Sequence, residues 1–270
     1  MQSNTLTGKI SFMTRMLCAV LLRPKLNRGK MRVLQEYSNG WNQYRWYLEQ
    51  ARSLEQWLRV PGVEDVPAFC NVNQRLSYEA FDSIGYYRHH LLAALRKYFS
   101  QARSITEFGT GVGRNLLFLK RELPEVEVYG YELCPPGVEV AHAAGLKFNL
   151  PVQYAQLDYL NDLPEKYVFP ITDVGFTMFS LEQLPRGCGR AVRNILDRVK
   201  LGSIHIEPVP ENYPLSMRGL LGRLDHWKVD YLSGFDREVR SLNLKNVVVE
   251  RLTSAHNPLM FPSLYVLRKG

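Results

Sequence analysis

The segment Ser104-Ile-Thr-Glu-Phe108 reads as a short buried strand that runs straight into Gly109-Thr-Gly111-Val-Gly113. Residues 114–123 then show a helical pattern closed by Pro124. Glycine lets a backbone bend tightly and approach a ligand with no Cβ in the way. A helix that starts there offers unpaired N–H groups to a polar ligand. A strand, a glycine turn and a helix in this order predict a parallel α/β sheet whose ligand lies beyond the carboxyl ends of the strands. A dinucleotide-binding loop reads G-x-G-x-x-G. Here the third glycine comes one residue sooner and Arg114-Asn115 follows, which disfavours a nicotinamide dinucleotide. The bland alternative is a plain tight turn between strand and helix.

The surroundings extend the pattern. Apolar periodicity predicts helices over 86–99, 137–148, 191–199 and 224–242, and strands over 126–133, 152–159, 173–179, 203–209, 247–253 and 264–268. With 104–108 this makes seven strands. Alternation of strands and helices argues for a parallel sheet covered on both faces. The last two strands are joined by a short link around Asn257-Pro258 and Phe261-Pro262, so they should pair antiparallel at the sheet edge.

Upstream, residues 1–60 read as helical, with Ile10, Met13, Leu17 and Val20 at roughly helical spacing. Tyr37, Trp41, Tyr44, Trp46, Tyr47 and Trp57 give the second part of this segment a high aromatic density. A stop follows at Pro61-Gly62, and 61–80 reads as a loop. The expected organisation is an N-terminal helical lid or arm over 1–80 and a catalytic domain over 81–270.

Two acids stand where a ligand on the glycine turn needs them. Glu132 ends the second strand, 19 residues after Gly113. A carboxylate there can accept both hydroxyls of a ribose; the alternative is a solvated strand-end acid. Asp158 ends the third strand in Gln156-Leu-Asp158-Tyr. It can accept an adenine amino group while Leu157 or Tyr159 packs on the ring; the alternative is a loop cap. All three features fall at the carboxyl ends of successive strands.

From about Ile84 to Gly270 the chain resembles the class I S-adenosylmethionine-dependent methyltransferases, on the strength of the Glu107-to-Gly113 turn with Glu132 and Asp158 behind it. The resemblance implies a seven-stranded Rossmann-like α/β sheet with an antiparallel edge strand and an N-terminal helical appendage. It implies that Glu107, Gly109, Gly111 and Gly113 surround the methionine part of the cofactor, that Glu132 holds the ribose and Asp158 the adenine, and that Phe179 borders the same site. It leaves the methyl acceptor open.

For the acceptor, no N/D-P-P-Y/F sequence follows the fourth strand, which ends in Phe179-Ser-Leu-Glu-Gln-Leu-Pro185. This stretch is similar to that of some bacterial methyltransferases acting on sugars or small molecules. The fifth strand ends in His205-Ile-Glu207-Pro208. His205 and Glu207 are two apart and so face one side of the sheet. An alcohol acceptor needs a base for its proton, and His205, Glu207 and Glu182 are the candidates. Together they are a weak metal signature, and no metal is expected. Each has an ordinary alternative: a hydrogen-bonded strand histidine for His205, helix-start acids for the two glutamates. His226, His89 and His90 read more simply as helix residues.

The expected reaction is O-methylation of a small molecule such as a sugar or a lipid-linked glycan intermediate. Methylation of RNA or protein is one rival, and a catalytically idle fold that docks on membranes or partners is another. Charge helps to weigh them. The net charge is +8, yet seven of the 34 Lys and Arg precede the first acid, Glu36, which leaves 27 basic against 26 acidic residues in the remainder. The catalytic part thus lacks the basic stripe of a nucleic-acid binder. The basic arm over 1–34 can lie on an anionic membrane surface or serve as a solvated arm. The run from Met16 to Leu22 is too short to span a membrane, and Arg23-Pro-Lys follows it where a cleavage site would stand, so no cleaved signal is expected. Cys18, Cys70, Cys134 and Cys188 are far apart, which fits reduced thiols in a cytoplasmic protein.

Overall fold

A computed structural model describes residues 4–59, 66–161, 164–184 and 186–270. The elements run α1 (Leu6–Leu22), α2 (Lys30–Gln50), α3 (Leu54–Leu58), β1 (Ala68–Val72), β2 (Arg75–Glu79), α4 (Ser83–Tyr98), β3 (Ser104–Phe108), α5 (Arg114–Glu122), β4 (Glu127–Glu132), α6 (Pro135–Lys147), β5 (Gln153–Gln156), β6 (Thr172–Met178), α7 (Cys188–Asp197), β7 (Val199–Glu207), α8 (Met217–Lys228), α9 (Phe235–Arg240), β8 (Asn246–Arg251) and β9 (Ser263–Arg268).

Seven strands form one sheet in the order β5-β4-β3-β6-β7-β9-β8. The first five pair in parallel. β9 runs antiparallel to both β7 and β8, so the expected edge hairpin is present, with its second strand inserted inward. Both faces are covered, which is why the central strands are almost wholly buried. Leu91, Leu95, Leu116, Leu119, Val140 and Ala144 from α4, α5 and α6 build the core on one face. Ala191, Val192, Ile195, Phe235 and Val239 from α7 and α9 build it on the other.

Strand order reverses between β3 and β6. The loops leaving these two neighbours turn to opposite sides and open a crevice at their carboxyl ends, the usual ligand position in such sheets. Of the N-terminal helices, α2 borders it with Val33, Tyr37, Trp41 and Tyr44. α2 packs on α6, where Arg45 pairs with Glu139 and Lys147 Nζ donates to the Leu48 carbonyl. Trp57 and Leu58 of α3 belong to the main core. α1 packs on α8 and on the link between β8 and β9, Val20 meeting Leu221 and Leu259.

Two local expectations need correction. Part of the loop expected over 61–80 is a hairpin, β1–β2, turning at Asn73 and Gln74 with φ of 49° and 61°. Its turn carries no glycine, and Asn is among the few other residues that tolerate that region. The Pro61-Gly62 stop lies outside the described residues. The helix expected over 224–242 is two helices. α8 begins earlier, where Ser216 caps it by accepting the Gly219 amide, and the chain breaks at Asp230 and Gly234, both at positive φ.

Candidate functional site

A cavity of about 320 Å³ fills the crevice. Its floor is the glycine turn. Gly109, Gly111 and Gly113 all sit at positive φ, of 82°, 55° and 78°. A Cβ on Gly111 would stand 3.0 Å from the Trp41 ring, and the backbone angle is itself strained for any other residue. Gly109 and Gly111 line the cavity. Gly113 faces Tyr154 and Ala141 instead, where it lets α5 start close against β5 and α6.

Glu107 is fully buried behind the turn. It accepts from Thr110 Oγ1 and Asn115 Nδ2, both at 2.8 Å, and does not line the cavity. Burial raises its pKa to about 7, against the lowering effect of those two bonds. These bonds tie the turn from below to the end of β3. Glu132 does line the cavity. Its two carboxyl oxygens accept the amides of Gly111 at 2.8 Å and Cys134 at 2.9 Å. Burial raises its pKa. Each oxygen retains a lone pair for a hydroxyl donor.

Asp158 borders the same cavity but is heavily engaged. It accepts from the amides of Leu160 and Asn161, from Asn161 Nδ2, and from Lys30 Nζ at 2.7 Å. Burial opposes ionisation here, but these bonds win and its pKa is lowered. The loop-cap role is thus realised, and Lys30 covers one of the carboxyl oxygens.

Phe179 follows β6 at a φ of +54°, a rare conformation for an aromatic residue, and its ring lies tilted by 53° against that of Tyr87 at 4.8 Å between centroids. It lines the cavity, as does Glu182 in the short 3-10 turn Leu181–Gln183 that follows. Glu182 Oε1 accepts from Gln183 Nε2 at 2.7 Å, while its Oε2 is buried with no hydrogen-bond partner. Burial, with Glu207 nearby, raises its pKa to about 8.

The other two candidate bases are not brought to the cavity. His205 lies within β7, fully buried, with Nδ1 at 2.9 Å from Thr177 Oγ1 and Nε2 at 2.8 Å from Ser203 Oγ. Its ring packs near Phe235 on the α7–α9 side of the sheet. Burial lowers its pKa to about 3, so it stays neutral. The hydrogen-bonded strand histidine is therefore the reading that stands. Glu207 accepts three backbone amides, from Ser180, Leu181 and Glu182. Burial raises its pKa to about 7. His226 is equally inward, its Nε2 at 2.8 Å from the Leu232 carbonyl oxygen. Among the described residues no group of three or more His, Cys, Asp or Glu is placed to hold a metal.

Of the aromatics singled out in the N-terminal segment, Tyr37, Trp41 and Tyr44 project from one stripe of α2 into the cavity wall while Trp46 is exposed; Arg88 and Arg114, which the sequence reading missed, line the cavity as well. The i, i+4, i+7 spacing of the three aromatics was the available signal. Arg114 lies between the faces of Tyr44 and Trp57, 4.6 and 4.5 Å from the ring centroids. The Trp41 Nε1 is buried without a hydrogen-bond partner.

A scan against protein-family models finds no match. A search of curated proteins finds none either. Solved structures do overlay. The [4+2]-cyclase SpnF aligns at a TM-score of 0.61 and 14% identity, covering 92% of this chain and 98% of that one. The plantazolicin methyltransferase BpumL, solved with a desmethylPZN analog and SAH, aligns at 0.51 and 12%, over 68% of this chain and 84% of that one. An O-methyltransferase family protein from Burkholderia thailandensis aligns at 0.52 and 13%, over 70% and 58%. At these identities the likeness concerns architecture, and the architecture is that of the class I methyltransferases.

Proposed function

We propose that the cavity binds S-adenosylmethionine and that the protein methylates a hydroxyl of a small molecule, such as a sugar or a lipid-linked glycan intermediate. The observation that carries the reading is Glu182: a buried carboxyl with an unpartnered oxygen, in the wall of a cavity floored by the glycine turn. The residues present suit the cofactor. Glu132 can take ribose hydroxyls, Arg114 lines a polar end, and Val33, Trp41, Leu133 and Leu157 give an apolar wall for a base. The cofactor, when bound, supplies a sulfonium-activated methyl group and departs as a neutral thioether. What the chain must add is alignment and a proton acceptor. In this reading the acceptor's oxygen forms the new bond to carbon as its proton passes to Glu182 Oε2.

The overlay with a [4+2]-cyclase along 92% of this chain favours a second reading, in which the same cavity shapes a substrate and transfers no methyl group. One experiment separates them. Labelled methyl transfer is followed from S-adenosylmethionine to fractionated metabolite and glycan pools, with wild type and Glu182→Gln. Label in a hydroxyl-bearing product, lost in the variant while cofactor binding persists, supports the first reading. Cofactor binding with no labelled product contradicts it.

A further inference from the structure

Arg28 lies in the stretch between α1 and α2, yet it is only 7% exposed. Its backbone amide donates to Asp230 Oδ2 at 2.7 Å, and its guanidinium lies over the Tyr231 ring, 4.7 Å from the centroid. Nη2 pairs with Glu36 at 2.7 Å. Nε donates to Gln183 Oε1 at 2.8 Å, and Gln183 Nε2 donates in turn to Glu182 Oε1 at 2.7 Å. Gln183 and Glu182 line the cavity, and Arg28 stands behind them. A chain of hydrogen bonds thus runs from Glu36 at the surface through Arg28 and Gln183 to the buried carboxyl.

Arg28 dictates the direction of that chain. A guanidinium has five donors and no acceptor. Gln183 must therefore present its carbonyl oxygen to Arg28, which leaves its NH2 group for Glu182. That NH2 can only donate, so Glu182 Oε1 must accept. A charged donor on the amide oxygen also polarises the amide and strengthens the bond it makes beyond. The oxygen left to take a proton is Oε2, which is buried with no hydrogen-bond partner. Around the same carboxyl stand Glu207 from the end of β7, Tyr37 from α2, Tyr87 from α4, and Tyr213 and Tyr231 on either side of α8. Glu207 opposes ionisation of Glu182, and Arg28 favours it.

We propose that Arg28 is a positioning residue for Glu182, acting through Gln183 to hold Oε1 as an acceptor and to leave Oε2 as the oxygen that takes the proton. This rests on Glu182 as the proton acceptor of the reaction proposed above. The proton leaving the acceptor's hydroxyl then bonds to Oε2, while the Gln183 bond to Oε1 persists before and after. The connection between α1 and α2 is in this way part of the site. Lysine cannot replace Arg28, because an ammonium group is a point charge without the fork that meets Glu36 and Gln183 together.

The test follows the Glu182 carboxyl in the full chain by infrared difference spectra against pH, its band assigned by loss in Glu182→Gln. In wild type the midpoint is expected at about 8. Arg28→Met should raise it by about one pH unit, as the loss of a nearby opposite charge does. The rising limb of methyl transfer should move with it, while affinity for S-adenosylmethionine stays unchanged. Arg28→Lys should recover only part of the shift. A merely structural arginine would lower the melting temperature and leave the midpoint in place. Should Arg28→Met fail to fold, Gln183→Met, which cuts the chain at its middle member, is read for the same upward shift. An unmoved midpoint in the folded variant overturns the proposal even where methyl transfer is seen. A raised midpoint in a protein that transfers no methyl group supports the positioning of Glu182 by Arg28 and strikes the proposed reaction instead.

Discussion

Glu207 Oε2 accepts the backbone amide of Glu182 at 3.1 Å, so one buried acid fixes the position of another. Its Oε1 takes the amides of Ser180 and Leu181 at 3.1 and 3.0 Å. The turn after β6 is thereby fastened to the end of β7, and Glu182 is held against the cavity. Glu207→Ala would strip three amides of their acceptor, at about 1–3 kcal/mol for each one left unsatisfied. The expected result is a melting temperature lower by several degrees and loss of any activity that depends on Glu182. Glu207→Gln, which keeps one acceptor oxygen, should recover part of the stability.

The pH dependence of stability follows from the buried acids. Burial raises Glu182 to about 8, and Glu107 and Glu207 to about 7. An acid whose pKa is raised on folding stabilises the fold fully below its unfolded value, and that contribution is lost as pH rises through the folded value. Melting temperature should therefore fall between about pH 5 and pH 8. Glu182→Gln cannot ionise, so its curve should be flatter and lie above wild type at pH 8 and beyond. If Glu182 is the proton acceptor, turnover rises over the same interval as it ionises. Parallel melting curves for wild type and variant would contradict the assignment.

His205 offers a contrast. It bridges Thr177 and Ser203 inside the sheet and is neutral at ordinary pH. His205→Phe should cost about 2–4 kcal/mol, since both hydroxyls lose a partner and the ring shape changes. Chemical denaturation would show it. The folded variant should bind S-adenosylmethionine with unchanged affinity, whereas a base in contact with the acceptor would not be expected to leave turnover per folded molecule intact.

Lys30 is half-exposed and its pair with Asp158 contributes little to stability, under about 1 kcal/mol. An adenine amino group accepted by Asp158, as the resemblance implies, would have to compete with Lys30 for that carboxylate. Lys30→Met should leave melting almost unmoved and tighten cofactor binding severalfold, measured by calorimetry. Weaker binding in this variant would show that Lys30 contributes to the bound state instead.

Sequence reading located what depends on local chemistry. The strand before the glycine turn falls at Ser104–Phe108 in both the sequence reading and the sheet, and apolar periodicity gives the seven strands of that sheet. Glu132 was legible because a strand-end acid at that distance meets the turn directly. What was not legible depends on partners remote in the chain. His205 and Glu207 share one side of β7, as their spacing requires, but that side meets Thr177 and the turn after β6 rather than the cavity. Trp41 is more than sixty residues from Gly111, and nothing local to either announces that the ring covers the glycine.

Calorimetric titration of S-adenosylmethionine into wild type, Gly111→Asp and Glu132→Ala tests the central claim most directly. Gly111→Asp puts a side chain against the Trp41 ring at a backbone angle that disfavours it, and Glu132→Ala removes the carboxylate that holds the Gly111 amide. Saturable binding by wild type, lost in both variants while they remain folded by circular dichroism, is the predicted result. No binding by wild type, or undiminished binding by both variants, would contradict the account.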